Sequence, residues 1–156
     1  MVLLDSVLTV QGVATRRLTR AEAMRHSGLT YRRLDYWCRV GVLGEMTPSA
    51  RGSGSQRIYT VDAVHALAVC ARVADCATPD LPDHGIDSRM TGTIPLRLLQ
   101  RVVGALVEHR FPVGGYLLVC GDDARWTPFV EGVADVLGSE GGAWVVTQLR
   151  PDDRPE

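Results

Sequence analysis

The 156 residues suffice for one ordinary domain or two small ones. An apolar share of 46% against 22% charged residues is that of a core-forming globular protein, which excludes wholesale disorder. The charge is unevenly placed: residues 16 to 59 carry nine arginines against Glu22, Asp35 and Glu45, a net of +6, whereas residues 60 to 156 come to −6. A basic segment joined to an acidic one points to a head that meets nucleic acid and a partner segment that does not. No run approaches the roughly 20 apolar residues that span a bilayer. Met1 to Val13 lacks the basic start of a secretion signal, so a cytoplasmic location is expected. Cys38, Cys70, Cys76 and Cys120 form no CxxC pair and have no histidine at zinc spacing. They are expected as buried or half-buried thiols, with no metal and no cofactor.

Along the chain, Thr19 and Glu22 make a capping box that opens a helix running to about Ser27. Gly28 supplies a left-handed turn, Leu29 packs the corner, and Thr30 caps a second helix from Tyr31 to about Val40. Leu34, Trp37 and Cys38 share the core-facing side of that helix, which leaves Arg32, Arg33, Tyr36 and Arg39 for other faces. Strand residues around Leu43 to Met46 and at Arg57-Ile58-Tyr59 flank a glycine-serine run, Arg51 to Ser55, that reads as the tip of a β-hairpin. Thr60 caps a third helix whose stripe is Val61, Val64, Leu67, Ala68 and Ala71.

Residues 77 to 93, rich in proline, glycine and aspartate, read as a linker. After it, Pro95 starts a helix with Leu99, Val102, Val103, Leu106 and Val107 on one face. Tyr116 to Cys120 forms a buried strand, Thr127-Pro128 opens a further helix that closes at Gly138, and Ala143 to Leu149 forms a second strand. The expected fold is α+β: a winged helix-turn-helix over 16–76, the linker, and a small α-β-α-β module over 94–150. The tail from Pro151 is expected to fray.

The uninterrupted run from Gly28 to Leu43, followed by Gln56-Arg57-Ile58-Tyr59-Thr60-Val61-Asp62-Ala63-Val64, resembles the recognition-helix and wing signature of the MerR family of regulators. The resemblance covers about residues 18 to 75. It implies a winged helix-turn-helix that lays its second helix in the major groove of double-stranded DNA and its wing against the flanking backbone. By position, Tyr31, Arg32 and Arg33 are candidates for base-edge contact, and the capping Thr30 is a further DNA-binding candidate. Tyr36, Arg39, Arg51 and Arg57, with Arg20, are candidates for phosphate contact. The family often has arginine where Asp35 stands, and a carboxylate there is expected to bond Arg32, Arg39 or a backbone amide. The family's long dimerising helix has no counterpart here, so self-association is assigned to the C-terminal module, which also stands open to an effector or the transcription machinery.

An enzyme reading finds no constellation to carry it. Asp122-Asp123 lack a lysine, histidine or phosphate loop beside them, the histidines are scattered as surface or helix residues, and Gly138 to Gly142 precedes a strand rather than a helix. Three readings remain open: a transcription regulator, an excisionase-like architectural protein that bends DNA for a recombinase, or a protein-interaction adaptor that has kept the fold but lost the groove contacts.

Overall fold

The computed structural model describes residues 16–48, 57–76, 96–120, 123–139 and 144–156. Its N-terminal half consists of β1 (Arg17–Leu18), α1 (Arg20–Ser27), α2 (Tyr31–Val40), β2 (Tyr59–Thr60) and α3 (Val61–Cys76). The predicted capping signals set these boundaries. Thr19 Oγ1 accepts from the Glu22 amide at 3.3 Å while Glu22 returns a bond to the Thr19 amide at 2.7 Å. Thr30 Oγ1 accepts from the Arg33 amide at 3.3 Å, and Thr60 Oγ1 from the Ala63 amide at 3.1 Å. Gly28 takes the left-handed conformation, φ 73°, that turns α1 into α2, a backbone geometry that side chains with a Cβ resist.

The expected hairpin is corrected in its pairing. Gly44–Met46 is a 3-10 turn and not a strand, and Tyr59–Thr60 pairs antiparallel with Arg17–Leu18 instead. Strand residues need a partner ladder, and the segment ahead of the first helix supplies it. The expected tip, Arg51 to Ser55, and the expected linker lie outside the described residues.

The C-terminal half consists of α4 (Leu96–Glu108), β3 (Tyr116–Cys120), β4 (Asp123–Thr127), α5 (Val130–Ser139) and β5 (Val145–Gln148). The expected α-β-α-β order therefore lacks one strand. Asp123-Ala-Arg-Trp-Thr alternates polar and apolar residues, and β4 pairs antiparallel with β3 from Tyr116↔Thr127 to Cys120↔Asp123. With β5 on the other side of β3, the sheet order is β4-β3-β5. Thr127 ends a strand and does not open the helix; its hydroxyl donates to the Phe129 carbonyl at 3.4 Å, and the helix starts at Val130. Gly115, at φ 80°, lets the chain enter β3 where a Cβ would strike the Thr127 carbonyl. On α4, Leu98 and Ala105 join Leu99, Val102, Val103 and Leu106 in the core, whereas Val107 is half exposed.

One buried apolar cluster runs from Leu18 and Leu34 through α3 to Leu99, Leu106, Leu117 and Leu149. Helix α3 lies at its centre. Beyond the single expected stripe, Ala63, His65, Ala66, Val69, Cys70, Val73 and Ala74 are also buried, which is the mark of a helix covered on more than one side. The tail does not fray: Pro151–Asp153 forms a 3-10 turn seated on the N-terminal half. Asp153, 5% exposed, takes a two-pronged bond from Arg72 at 2.6 and 2.7 Å, and the Asp153 carbonyl lies 2.8 Å from His26 Nε2. Arg154 pairs with Asp62 at 2.7 Å, and Gln100 of α4 donates to the Gly41 carbonyl at the end of α2 at 3.2 Å.

His65, expected as a surface or helix histidine, is fully buried on α3 with both ring nitrogens lacking a hydrogen-bond partner among the described residues. Its ring centroid stands 5.9 Å from that of Phe111, a residue held at positive φ in the turn after α4. Burial pulls its pKa down to about 4, against the partial support of the Asp153 charge.

Candidate nucleic-acid interface

Helix α2 buries Leu34, Trp37 and Cys38 and presents the opposite side outward. Tyr31 is half exposed at the N-terminal end, and Arg32 beside it is exposed with no ion pair among the described residues. The Arg20 guanidinium, reaching from the first turn of α1, stacks over the Tyr31 ring at 4.7 Å. Arg20, Thr30, Tyr31 and Arg32 thus meet where the starts of two helices converge. Such a place offers outward backbone amides, the positive ends of two helix dipoles and the charge of two arginines together. Glu22 sits in the same first turn, and its bond to the Thr19 amide holds its carboxyl below the ordinary range.

Arg33 departs from this group. Its guanidinium pairs with Asp75 of α3 at 3.0 Å and lies 5.0 Å from the Trp37 ring, with only 17% of the side chain exposed. It fastens α2 to α3 instead of facing outward with Tyr31 and Arg32. Tyr36 is half-buried and packs on the core, and Tyr59 is a core residue whose hydroxyl lies 3.7 Å from the Cys38 sulfur. Burial raises the pKa of both the Cys38 thiol and the Tyr59 hydroxyl, so each stays protonated and neutral. Cys70, buried on α3, is pushed up to about 12 by the same cause.

Asp35 bonds Arg39, as expected for one of its named partners, at 3.1 Å, and it also bonds Arg57 at 2.9 Å. The second partner was not anticipated because it lies 22 residues away, ahead of β2. Arg39 stays 65% exposed while Arg57 is drawn in to 23%. Arg51 lies outside the described residues.

Among the described residues no three His, Cys, Asp or Glu side chains gather as a metal-ligand set, and no helix is long and apolar enough to cross a membrane. No protein-family profile matches the chain, and no solved structure matches it. Relatives from Mycobacterium bovis and Mycobacterium tuberculosis, each named an uncharacterized HTH-type transcriptional regulator, are 42% identical to it over 53 residues. That stretch is 34% of this chain and 24% of each relative's own length.

Proposed function

We propose that the chain is a sequence-reading, double-stranded-DNA-binding transcription regulator of MerR type and not an enzyme. In this reading α2 enters the major groove and the wing that the resemblance implies lies against the flanking backbone. The observation that carries it is the exposed end of a doubly anchored helix-turn-helix: Arg32 and Tyr31 project from the capped start of α2, with Arg20 stacked on the tyrosine. A groove about 12 Å wide admits one helix, and an arginine fork at its leading end matches the paired acceptors of guanine. The names of the partial relatives agree with regulation through a helix-turn-helix.

The C-terminal half then serves self-association or contact with a partner of the transcription machinery. Phe129, Val130, Leu137 and Val146, all exposed, support the first of these, and sedimentation of the full chain at tens of micromolar tests it. For the DNA-binding reading the test is titration of the purified chain against duplexes selected from a random pool. Log affinity is expected to fall with log salt by about 0.9 per phosphate neutralised. Arg32→Ala is expected to cost about 1–3 kcal/mol and to relax preference at one base position. Affinity that is flat between low and physiological salt rules the groove-docking arrangement out.

A further inference from the structure

A carboxylate on the outward side of a recognition helix is an anomaly for a surface that meets phosphates, because like charges brought together weaken binding. Asp35 lies one turn after Tyr31 and one turn before Arg39, so it shares their side of α2. Both of its oxygens are taken. Oδ2 lies 3.1 Å from Arg39 Nε in an ion pair and Oδ1 accepts from Arg57 Nη1 at 2.9 Å, so the trio carries a net charge of +1.

The two arginines are not equivalent. Arg57 is mostly covered, at 23% exposure, and its charge lies close enough to the buried Cys38 thiol and Tyr59 hydroxyl to act on both. A charged line therefore runs outward: the covered Arg57, then Asp35, then the exposed Arg39. Arg39, 65% exposed, is the outer end of the line, where its guanidinium can meet an acceptor outside the protein. A free arginine loses much rotamer freedom when it grips a phosphate, whereas one already held by a carboxylate loses less.

We propose that Asp35 is a positioning residue that braces Arg39 of the recognition helix against Arg57 just ahead of β2, so that Arg39 meets one backbone phosphate in a fixed pose. This deepens the DNA-binding reading and rests on it. The sequence departure at this position becomes a device: the negative charge strengthens contact with a polyanion through the arginine it orients.

The experiment is a double-mutant cycle on the full chain, read by fluorescence anisotropy on a duplex the wild type binds, with Asp35→Asn, Arg39→Ala and the combination. Asp35→Asn is expected to weaken binding about fivefold, although it removes a negative charge from the DNA-facing side. In the Arg39→Ala background the same change is expected to alter affinity by less than about twofold. Tighter or unchanged binding by Asp35→Asn overturns the proposal in favour of plain charge repulsion. A full loss that persists without Arg39 overturns it in favour of a general structural role. Arg57→Gln, which removes the other side of the brace, should reproduce both the loss and its dependence on Arg39, and serves if Asp35→Asn melts below the assay temperature. If the wild type binds no duplex, the DNA-binding reading falls first, an outcome distinct from either of these.

Discussion

The helix-turn-helix and the sheet-bearing half reach their structures by different routes. In the first, every helix start is written locally: Thr19, Thr30 and Thr60 each cap the chain within three residues of the amide they satisfy. In the second, β4 exists because β3 offers it a ladder, and the Pro151–Asp153 turn exists because Arg72 and His26 on distant helices receive it. Local caps specify where elements begin; long-range partners specify whether an ambiguous segment becomes an element at all. The two halves nevertheless share one buried cluster through α3, so their difference in origin need not appear as a difference in stability.

That shared core can be broken most severely at Leu99, fully buried on α4, whose carbonyl also lies 3.8 Å from the Cys70 sulfur of α3. Leu99→Ala is expected to cost about 2–5 kcal/mol. Urea unfolding followed by tryptophan fluorescence and by circular dichroism should move as one coincident transition, since Trp37 reports the N-terminal half and Trp126 and Trp144 the C-terminal half. Separate transitions, with only one displaced, would show the halves to be independent.

A smaller effect tests the seam between them. His65 is buried neutral, so its pKa falls from 6.5 in the unfolded chain to about 4 when folded. The stability it supports is complete above pH 6.5 and is lost as the pH falls toward 4, by up to about 1.4 kcal/mol per pH unit. Asp153, Arg154, Asp62 and His26 are the charged or titratable groups that act on it. Burial raises the Asp153 carboxyl, but the bonds from Arg72 and the Arg150 amide outweigh this and hold it below the ordinary range, so its own contribution fades only in stronger acid. Thermal melts between pH 7 and 4.5 should show the slope, and His65→Leu should flatten it. A slope unchanged by that substitution places its origin elsewhere.

The smallest effect contrasts the two halves directly. Thr30→Ala removes a working cap and should cost about 1 kcal/mol. Thr127→Ala, at a site that looks like a cap in sequence but ends a strand, should cost under about 0.5 kcal/mol. Equal losses in chemical denaturation would mean that capping does not distinguish these threonines.

By itself the sequence determined the three N-terminal helices, their caps, the core side of α2 and the outward placement of Tyr31 and Arg32, because each depends on residues within one or two turns of each other. It also carries two signals for features further along the chain. The polar-apolar alternation of Asp123 to Thr127 marks β4, and the apolar residues on all sides of α3 mark a helix covered on more than one face. Only the tertiary structure decided that β2 pairs with Arg17–Leu18, that Arg33 turns to Asp75, and that Arg57 meets Asp35. It likewise decided that His65 lies buried beneath Phe111 and that the C-terminal turn docks on Arg72. The physical reason is common to all of these. An ion pair, a ladder or a buried ring takes its partner from whatever the fold brings within a few ångströms, and no spacing along the chain encodes that distance.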